Sequence, residues 1–493
     1  MSIDLSLDRI RVLAQRLPAY TRPTCHIAGT NGKGSVSCLL SSILRASGLT
    51  VGRFNSPHLI SIYDCIIIND EPVSPSAYKD ARQKVEDANQ GVGSSSFELL
   101  TLTALSLFEA AKLDVVVIEV GMGGRLDATN VIPDDCIIVS ALTTVDLDHQ
   151  QFLGNTVELI AQEKAGIARN GKPFVMGIQK HDGVEAVVKS VVASAGGRFV
   201  RAHAAEERAW DSSLDGPQPH FSLSAGPFTP PSQPIKYAFP YFSQDIHALL
   251  PLYGKHQLDN LGLTLSIVSA ILTQSPSKNA LPAYLASRIT PECICKGIKS
   301  ASWPGRLSFH RLASDSCSRP LTILADGAHN PASSQTLAAY ISELISLPQD
   351  GQDMPHPRTT NLTFILALSH SPPKTPLETL SPLLPLRNLT GAEIKLRIAV
   401  LRFTPPDGMP WVTSVPPSEL RQTVTDLAPE AEVWCASDAE DPREGQLGRA
   451  LEWASGRKGM VDREELVVLA GSLYLVADFY RFINGIGAKV GLS

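Results

Sequence analysis

The chain has 493 residues, 43% of them hydrophobic and 19% charged, a balance too apolar for a disordered polymer and ordinary for a globular chain of two to four domains at roughly 100–200 residues each. Its 43 Lys and Arg against 49 Asp and Glu leave a net charge of −6, which argues against a general nucleic-acid surface, since that needs a basic excess or stripe. No run approaches the ~18 continuous apolar residues of a membrane span, so no membrane association is expected.

The opening Met1–Ile10 has no basic region leading into an apolar core, so no secretion signal is expected. Asp4 and Asp8 count against an acid-poor transit peptide, although a mitochondrial pool stays open. Eight cysteines (Cys25, Cys38, Cys65, Cys136, Cys293, Cys295, Cys317, Cys435) are scattered along the chain. Only Cys293 and Cys295 are close, and a C-x-C pair alone is neither a zinc site nor a disulfide framework. The expectation is reduced thiols in a cytoplasmic protein.

In chain order, residues 24–28 form a short strand candidate, and Val36, Leu39, Leu40, Ile43 and Leu44 then recur at helical spacing up to a stop at Gly48. Residues 97–112 read as a helix, 114–120 and 136–145 as buried strands, and 156–169 as a helix. Ser95 with Glu98 and Asn155 with Glu158 have capping-box spacing. From 202 to 244 the chain is rich in Pro, Ser and Gly, which reads as an irregular surface insertion. A helix over 257–272, a break at 275–277 and a boundary near 299–306 follow. Strand candidates then recur at 322–325, 362–368, 395–403, 432–436 and 465–470, the last entering a helix through Gly471 and Ser472. Strands alternating with helices imply α/β architecture with parallel sheets. The expected division is two α/β domains, 1–301 and 302–493, with no internal repeat.

The strongest chemical signal is Gly29-Thr30-Asn31-Gly32-Lys33-Gly34-Ser35, set between a strand and an amphipathic helix. Glycines let backbone N–H groups approach a phosphate, the helix N-terminus adds partial positive charge, and Lys33 adds a full one. The loop is one residue shorter than the common phosphate-binding form, and Gly34 separates Lys33 from Ser35. A bare glycine-rich turn is the bland alternative. Gly121, Gly123 and Gly124 follow a strand, but a dinucleotide fingerprint would need its third glycine at Leu126 and a helix there, so a strand-end turn is the better reading. Oxygen ligands for Mg²⁺ are sought in Ser56 and Glu119, with His149 beside them. Glu119 ends an apolar strand, where its carboxylate needs a cation or strong donors. Lys164 beside Glu163 reads, by itself, as an exposed ion-paired helix lysine, and a lone histidine such as His149 as structural.

Taken together, Gly29–Ser35, Ser56-Pro-His-Leu59 and Glu119-Val-Gly-Met-Gly-Gly-Arg-Leu-Asp-Ala-Thr-Asn130 resemble the folylpolyglutamate synthase/dihydrofolate synthase family of Mur-ligase-like, ATP-dependent amide ligases. Asp148-His149-x-x-x-Leu-Gly154, Glu163-Lys-Ala-Gly-Ile167, His256-Gln-x-x-Asn260, Trp303-Pro-Gly-Arg306 and Asp326-Gly-Ala-His-Asn-Pro331 extend the match. The resemblance implies a P-loop parallel-sheet ATPase domain followed by a smaller Rossmann-like ligase domain. It implies that Gly29, Thr30, Asn31, Gly32, Lys33, Gly34 and Ser35 hold ATP phosphates, with Asn260, Arg306 and Asp326 also contacting ATP, the last two from across a cleft. Ser56 and Glu119 would hold one Mg²⁺, and His149 with Glu119 a second. Lys164 matches the lysine that carries a CO₂-derived carbamate, which requires a neutral amine. His329 would face the reacting carboxylate and glutamate, and Ser95, Ser96, Phe97 and Glu98 the pterin.

Within the family, the opening Ile3–Ile10 resembles the N-terminal segment of dihydrofolate synthases, and the later Arg402–Trp411 is similar to monofunctional fungal-type dihydrofolate synthases. The expected reaction is therefore ATP-dependent ligation of L-glutamate to 7,8-dihydropteroate by a monomer, through an acyl phosphate. Alternatives are extension of reduced folates by a folylpolyglutamate synthase or bifunctional enzyme and, from another class, a P-loop NTPase switch.

Overall fold

The computed structural model describes residues 6–221, 223, 229–274, 281–313, 320–346, 358–370, 374–384, 392–406, 409, 411–456 and 464–490. The chain divides into two compact units, Met1–Asp215 with Ser232–Ser302, and Gly216–Pro231 with Trp303–Ser493.

In the first unit α1 (Asp8–Gln15) precedes β1 (Thr24–Ala28), α2 (Lys33–Ala46), β2 (Val51–Phe54), β3 (Ile66–Ile68) and β4 (Glu71–Pro72). Helices α3 (Pro75–Ala88) and α4 (Ser96–Ala110), strands β5 (Val115–Glu119) and β6 (Ile137–Leu142), and helices α5 (Gln150–Leu153) and α6 (Val157–Ala165) follow. Then come β7 (Pro173–Met176), α7 (Asp182–Ser194) and β8 (Arg198–Arg201). These build one sheet in the order β4-β3-β2-β5-β1-β6-β7-β8, parallel from β2 to β8, with β3 antiparallel to β2 and β4 to β3. β1, β5 and β6 are buried at every position, which is why β5 and β6 read as largely apolar runs. Leu99, Leu102 and Phe108 of α4 pack with Ile10, Leu13, Phe54 and Ile118; Ile160 of α6 and Val184 and Val188 of α7 pack with Leu142 and Phe174.

The 202–244 stretch is not wholly irregular. It contains β9 (Glu206–Glu207), α8 (Ser212–Asp215) and β10 (Gln233–Tyr237), and with β11 (Ile246–Leu250) forms an antiparallel sheet, β11-β10-β9. Its middle, Gly216–Pro231, groups with the second unit, where the Phe221 ring packs edge-on against Phe309 at 6.2 Å. Helices α9 (His256–Leu272), α10 (Ala283–Ala286) and α11 (Pro291–Ser300) complete the first unit. The expected break at 275–277 lies outside the described residues.

The second unit runs β12 (Ser308–Leu312), β13 (Leu321–Ala325), α12 (Pro331–Ser346), β14 (Arg358–Leu366), α13 (Pro376–Leu380) and β15 (Ala392–Val400). α14 (Pro417–Leu427), β16 (Glu432–Cys435), α15 (Gln446–Ser455), β17 (Glu464–Ala470) and α16 (Leu473–Val490) follow. Its sheet has the order β12-β13-β17-β14-β15-β16, all parallel but for the antiparallel edge strand β12.

Of the two expected capping boxes, Ser95–Glu98 forms both of its bonds. At α6 the cap is Thr156, whose hydroxyl accepts from Leu159 N at 3.3 Å. The helix thus starts one residue later than Asn155 would place it. No helix among the described residues is long and apolar enough to cross a membrane.

Candidate active site

β1 lies between β5 and β6, so the chain leaves the centre of the sheet in opposite directions and opens a crevice at the carboxyl ends of these strands. The loop after β1 fills it. Gly29 has φ +147° and Gly32 φ +93°; a Cβ on Gly29 would overlap the Thr143 hydroxyl, and one on Gly32 the Asn260 carboxamide. Thr30 N and Asn31 N donate to Thr144 O at 2.9 and 3.3 Å, fastening the loop to the exit of β6. α2 then starts at Lys33 with Gly32 as its cap, a residue with no side-chain acceptor for the first-turn amides. An anion is the partner such amides favour.

Lys33 Nζ donates to Gly29 O and Thr30 O, each at 3.1 Å, and stands 3.9 Å from Glu119 Oε1. The other Glu119 oxygen accepts from Asn55 Nδ2 at 2.6 Å. The buried carboxylate at the end of β5 therefore has the cation and the donor that its desolvation requires. Ser56 adjoins Asn55. Ser35 Oγ accepts from Gln257 Nε2 at 3.2 Å, and Gln257 Oε1 accepts from Asn260 Nδ2 at 2.9 Å, so α9 reaches the loop at Gly32 and Ser35 together. His149, at φ +50°, keeps a half-exposed ring with Nε2 3.7 Å from Asp148 Oδ2. Among the described residues no three His, Cys, Asp or Glu side chains could hold a metal ion by themselves. The Glu119 carboxylate beside Lys33 is a hard oxygen donor at the loop. Such a sparse ligand suits Mg²⁺, which takes few protein ligands and completes its shell with phosphate and water.

Lys164 is not the exposed, ion-paired lysine its neighbourhood in the sequence suggests. Glu163 pairs with Arg125 at 2.9 Å, whereas Lys164 is 3% exposed and donates from Nζ to Gly29 O at 2.8 Å. Burial, and then the charge of Lys33, push its pKa down to about 7 against the opposing pull of Asp148 and Asp127. The last turn of α6 faces inward, and neighbouring positions on a helix turn point in different directions.

Ser95 and Glu98 close the capping box of α4: Ser95 N donates to Glu98 Oε2 at 2.6 Å and Glu98 N to Ser95 Oγ at 3.3 Å, with Arg9 3.5 Å from Glu98. Ser96 is the first residue of that helix. Phe97 turns the other way, onto Phe54 and against Gly121, where a Cβ would overlap its ring.

In the second unit Asp326 leaves β13 buried, accepting from Leu307 N at 2.9 Å and Ala328 N at 2.8 Å. Burial raises its pKa, and Arg306 opposes that. Arg306 Nη1 donates to Gly305 O at 3.3 Å and lies over Gly327, where a Cβ would overlap it. His329 is exposed, and its Nδ1 is 2.9 Å from Gly327 O. A carbonyl only accepts, so Nδ1 carries the proton and Nε2 of the neutral ring is an acceptor.

Along its whole length the chain is similar to the dihydrofolate synthetase of Saccharomyces cerevisiae, with 33% identity over 490 residues covering 98% of this chain and 99% of the yeast one. The chain belongs to the dihydrofolate synthase/folylpolyglutamate synthase family. Members of this family are ATP-dependent ligases. Residues 309–482 match the family described as "Dihydrofolate synthetase, C-terminal domain". The dihydrofolate synthase/folylpolyglutamate synthase of Escherichia coli is 33% identical over 356 residues, 71% of each chain. Among solved structures, Escherichia coli FolC in complex with DHPP and ADP superposes at a TM-score of 0.68 with 26% identity, covering 98% of this chain and 94% of that one. A Mycobacterium tuberculosis folylpolyglutamate synthase complexed with ADP gives 0.71 at 24% identity, a likeness of fold.

Three buried groups of this family member escaped the sequence reading. Asp127 accepts from Met122 N at 2.8 Å, Thr129 N at 3.0 Å and Thr129 Oγ1 at 2.5 Å. The Thr129 hydroxyl in turn meets His26 Nε2 at 2.8 Å. Burial pushes His26 down to about 3, so the ring is neutral, and with Thr129 donating to Asp127 it is His26 Nε2 that donates to Thr129. The Asp127-x-Thr129 spacing is an Asx-turn signal that could have been found. The link to His26, 103 positions away, has no local signature.

Proposed function

We propose that this chain is a dihydrofolate synthase, joining L-glutamate to 7,8-dihydropteroate at the expense of ATP and releasing dihydrofolate, ADP and phosphate. The observation that carries this is the end-to-end match to the yeast dihydrofolate synthetase, 98% of one chain and 99% of the other. The match to the folylpolyglutamate synthase of Lacticaseibacillus casei covers 66% and 68%. That relative, at 32% identity, keeps tail extension of reduced folates as the second reading.

A carboxylate resists an amine because its charge repels the nucleophile and oxide is a poor leaving group. Transfer of the γ-phosphoryl group to the carboxylate oxygen, with ADP leaving, gives an acyl phosphate. Attack by the glutamate nitrogen on the acyl carbon then expels phosphate and releases a proton. Gly29–Ser35 cradle the phosphates, and Lys33 neutralises charge that spreads over the transferring oxygens. Ser56 and Glu119 would hold one Mg²⁺, and His149 with Glu119 a second; the ions would supply further charge neutralisation when bound. Asn260, Arg306 and Asp326 contact the nucleotide, and Phe97, with Ser95, Ser96 and Glu98 shaping its helix start, contacts the pterin. His329 presents its Nε2 lone pair to the ammonium of glutamate. In this reading residues 1–301 are the ATP-binding domain, which also takes the pterin, and residues 302–493 the glutamate-ligase domain, which adds Arg306 and Asp326 for the nucleotide.

Lys164 is the carbamate-bearing residue of this reading. Its nitrogen adds to CO₂ and loses a proton, which needs the neutral amine that a pKa of about 7 supplies at neutral pH. The enzyme works as a cytoplasmic monomer, and the free buried thiols Cys25, Cys38, Cys65 and Cys136 suit a reducing compartment. ADP release by the purified chain tests the proposal. It requires dihydropteroate and L-glutamate together, and ADP release indifferent to both overturns the ligase reading.

A further inference from the structure

Five non-glycine residues among those described have positive φ: Asn69, Asp70, Lys112, His149 and Leu307. Leu307 is the apolar one, 3% exposed at φ +46°, a conformation that costs an L-residue and persists where its surroundings over-determine it. It directly follows Arg306, and the turn preceding it includes Gly305 at φ +76°.

The surroundings are specific. Leu307 N is held by Asp326 Oδ2 at 2.9 Å, and Gly305 O accepts from Gly327 N at 2.9 Å. Gly305 N is shared between Ser308 Oγ at 2.9 Å and the Tyr480 hydroxyl oxygen at 3.3 Å. That hydroxyl also meets His310 Nε2 at 3.0 Å. Tyr480 comes from α16 and His310 from β12, and the two rings stand edge to face at 5.1 Å. The His310 ring is seated at 5.2 Å on Phe479, which is fully buried. One oxygen of the C-terminal helix thus ties down the amide that fixes where the Arg306 backbone begins.

We propose that Tyr480, with His310 behind it, is a positioning residue for Arg306: the pair locks the Gly305–Leu307 turn so that the guanidinium is preorganised for the nucleotide. This rests on the reading above that Arg306 contacts ATP. Neither ring is asked to touch a substrate. With the oxygen removed, Gly305 N keeps Ser308, but the turn loses its tie to α16, and binding must then include the cost of ordering the arginine.

The test is the dissociation constant of ADP, measured without turnover, in Tyr480→Phe, His310→Phe, Arg306→Ala and the Tyr480→Phe/Arg306→Ala double variant. Tyr480→Phe keeps the ring packing and is expected to weaken ADP by about threefold to tenfold, the worth of one hydrogen bond. The KM for ATP should rise in parallel while the KM for glutamate stays level. His310→Phe should act in the same direction by less. Arg306→Ala should weaken ADP more, and adding Tyr480→Phe to it should change nothing further. Thermal melting confirms that each variant is folded. If Arg306→Ala weakens ADP but Tyr480→Phe does not, or if the two effects simply add, the positioning role is overturned and the nucleotide reading of Arg306 stands. If Arg306→Ala leaves ADP binding unchanged, that reading fails and the proposal fails with it.

Discussion

Lys33 and Lys164 donate to the same oxygen, the carbonyl of Gly29, at 3.1 and 2.8 Å. Two ammonium groups converging on one acceptor repel each other, and the more buried of them is the one driven towards neutrality. The loop thus places Lys33 for phosphate and makes Lys164 available as an amine.

Lys164 carries a pH signature. Its native pKa of about 7 lies below the ~10.4 of an unfolded lysine, so between those values the unfolded chain binds more protons. Stability therefore rises with pH across that window, by up to roughly 1.4 kcal/mol per pH unit, and the full cost of the buried charge is present below it. Lys164→Met removes the cost. Its stability advantage over the native chain in chemical denaturation should shrink from about pH 6 to about pH 9; a constant difference would show an unshifted amine. Lys164→Ala should lose ligation and recover part of it with added short-chain carboxylic acids, and native-level activity in that variant removes the carbamate from the mechanism.

Gly32→Ala combines a left-handed φ with overlap on the Asn260 carboxamide. It should move Asn260 and Ser35 together, through Gln257. ADP affinity is expected to fall at least tenfold, about 1.4 kcal/mol, as read by calorimetry. Unchanged affinity would mean that the loop tolerates a side chain where the geometry shows none fits.

Ser95 and Phe97 separate helix capping from substrate contact. Ser95→Ala removes the cap of α4 and should cost about 1 kcal/mol of stability, with the KM for dihydropteroate within about twofold, a few tenths of a kcal/mol. Phe97→Ala should raise that KM by about tenfold or more, the worth of one aromatic contact. Equal effects of the two substitutions on KM would reassign Ser95 to the substrate.

Asp326→Asn leaves one of two backbone donors, Leu307 N or Ala328 N, facing an amide NH₂. A destabilisation of about 1–3 kcal/mol is expected in thermal unfolding, and an unaltered transition would contradict the buried acceptor role.

The parts of this fold visible in the sequence are those with a local cause. β1, its glycine loop and α2 are one strand–turn–helix signal, and β17 enters α16 through Gly471 at φ +101°. β2 is hidden because it has four residues, one of them Gly52, where a Cβ would collide with Leu113 and Phe108. α3 shows no apolar stripe because Val85 is its one buried residue. Strand order is not local either: β17 inserts between β13 and β14. At the site, residue types and spacing revealed Lys33 and Glu119, while the burial of Lys164 and the link from His26 to Thr129 depend on contacts far apart in sequence.

The measurement that bears most directly on the function is product mass from the purified chain with ATP, Mg²⁺, L-glutamate and either 7,8-dihydropteroate or tetrahydrofolate. Dihydropteroate should gain one glutamate with stoichiometric ADP, and tetrahydrofolate should gain none. Glutamylation of tetrahydrofolate with dihydropteroate left untouched would contradict the account.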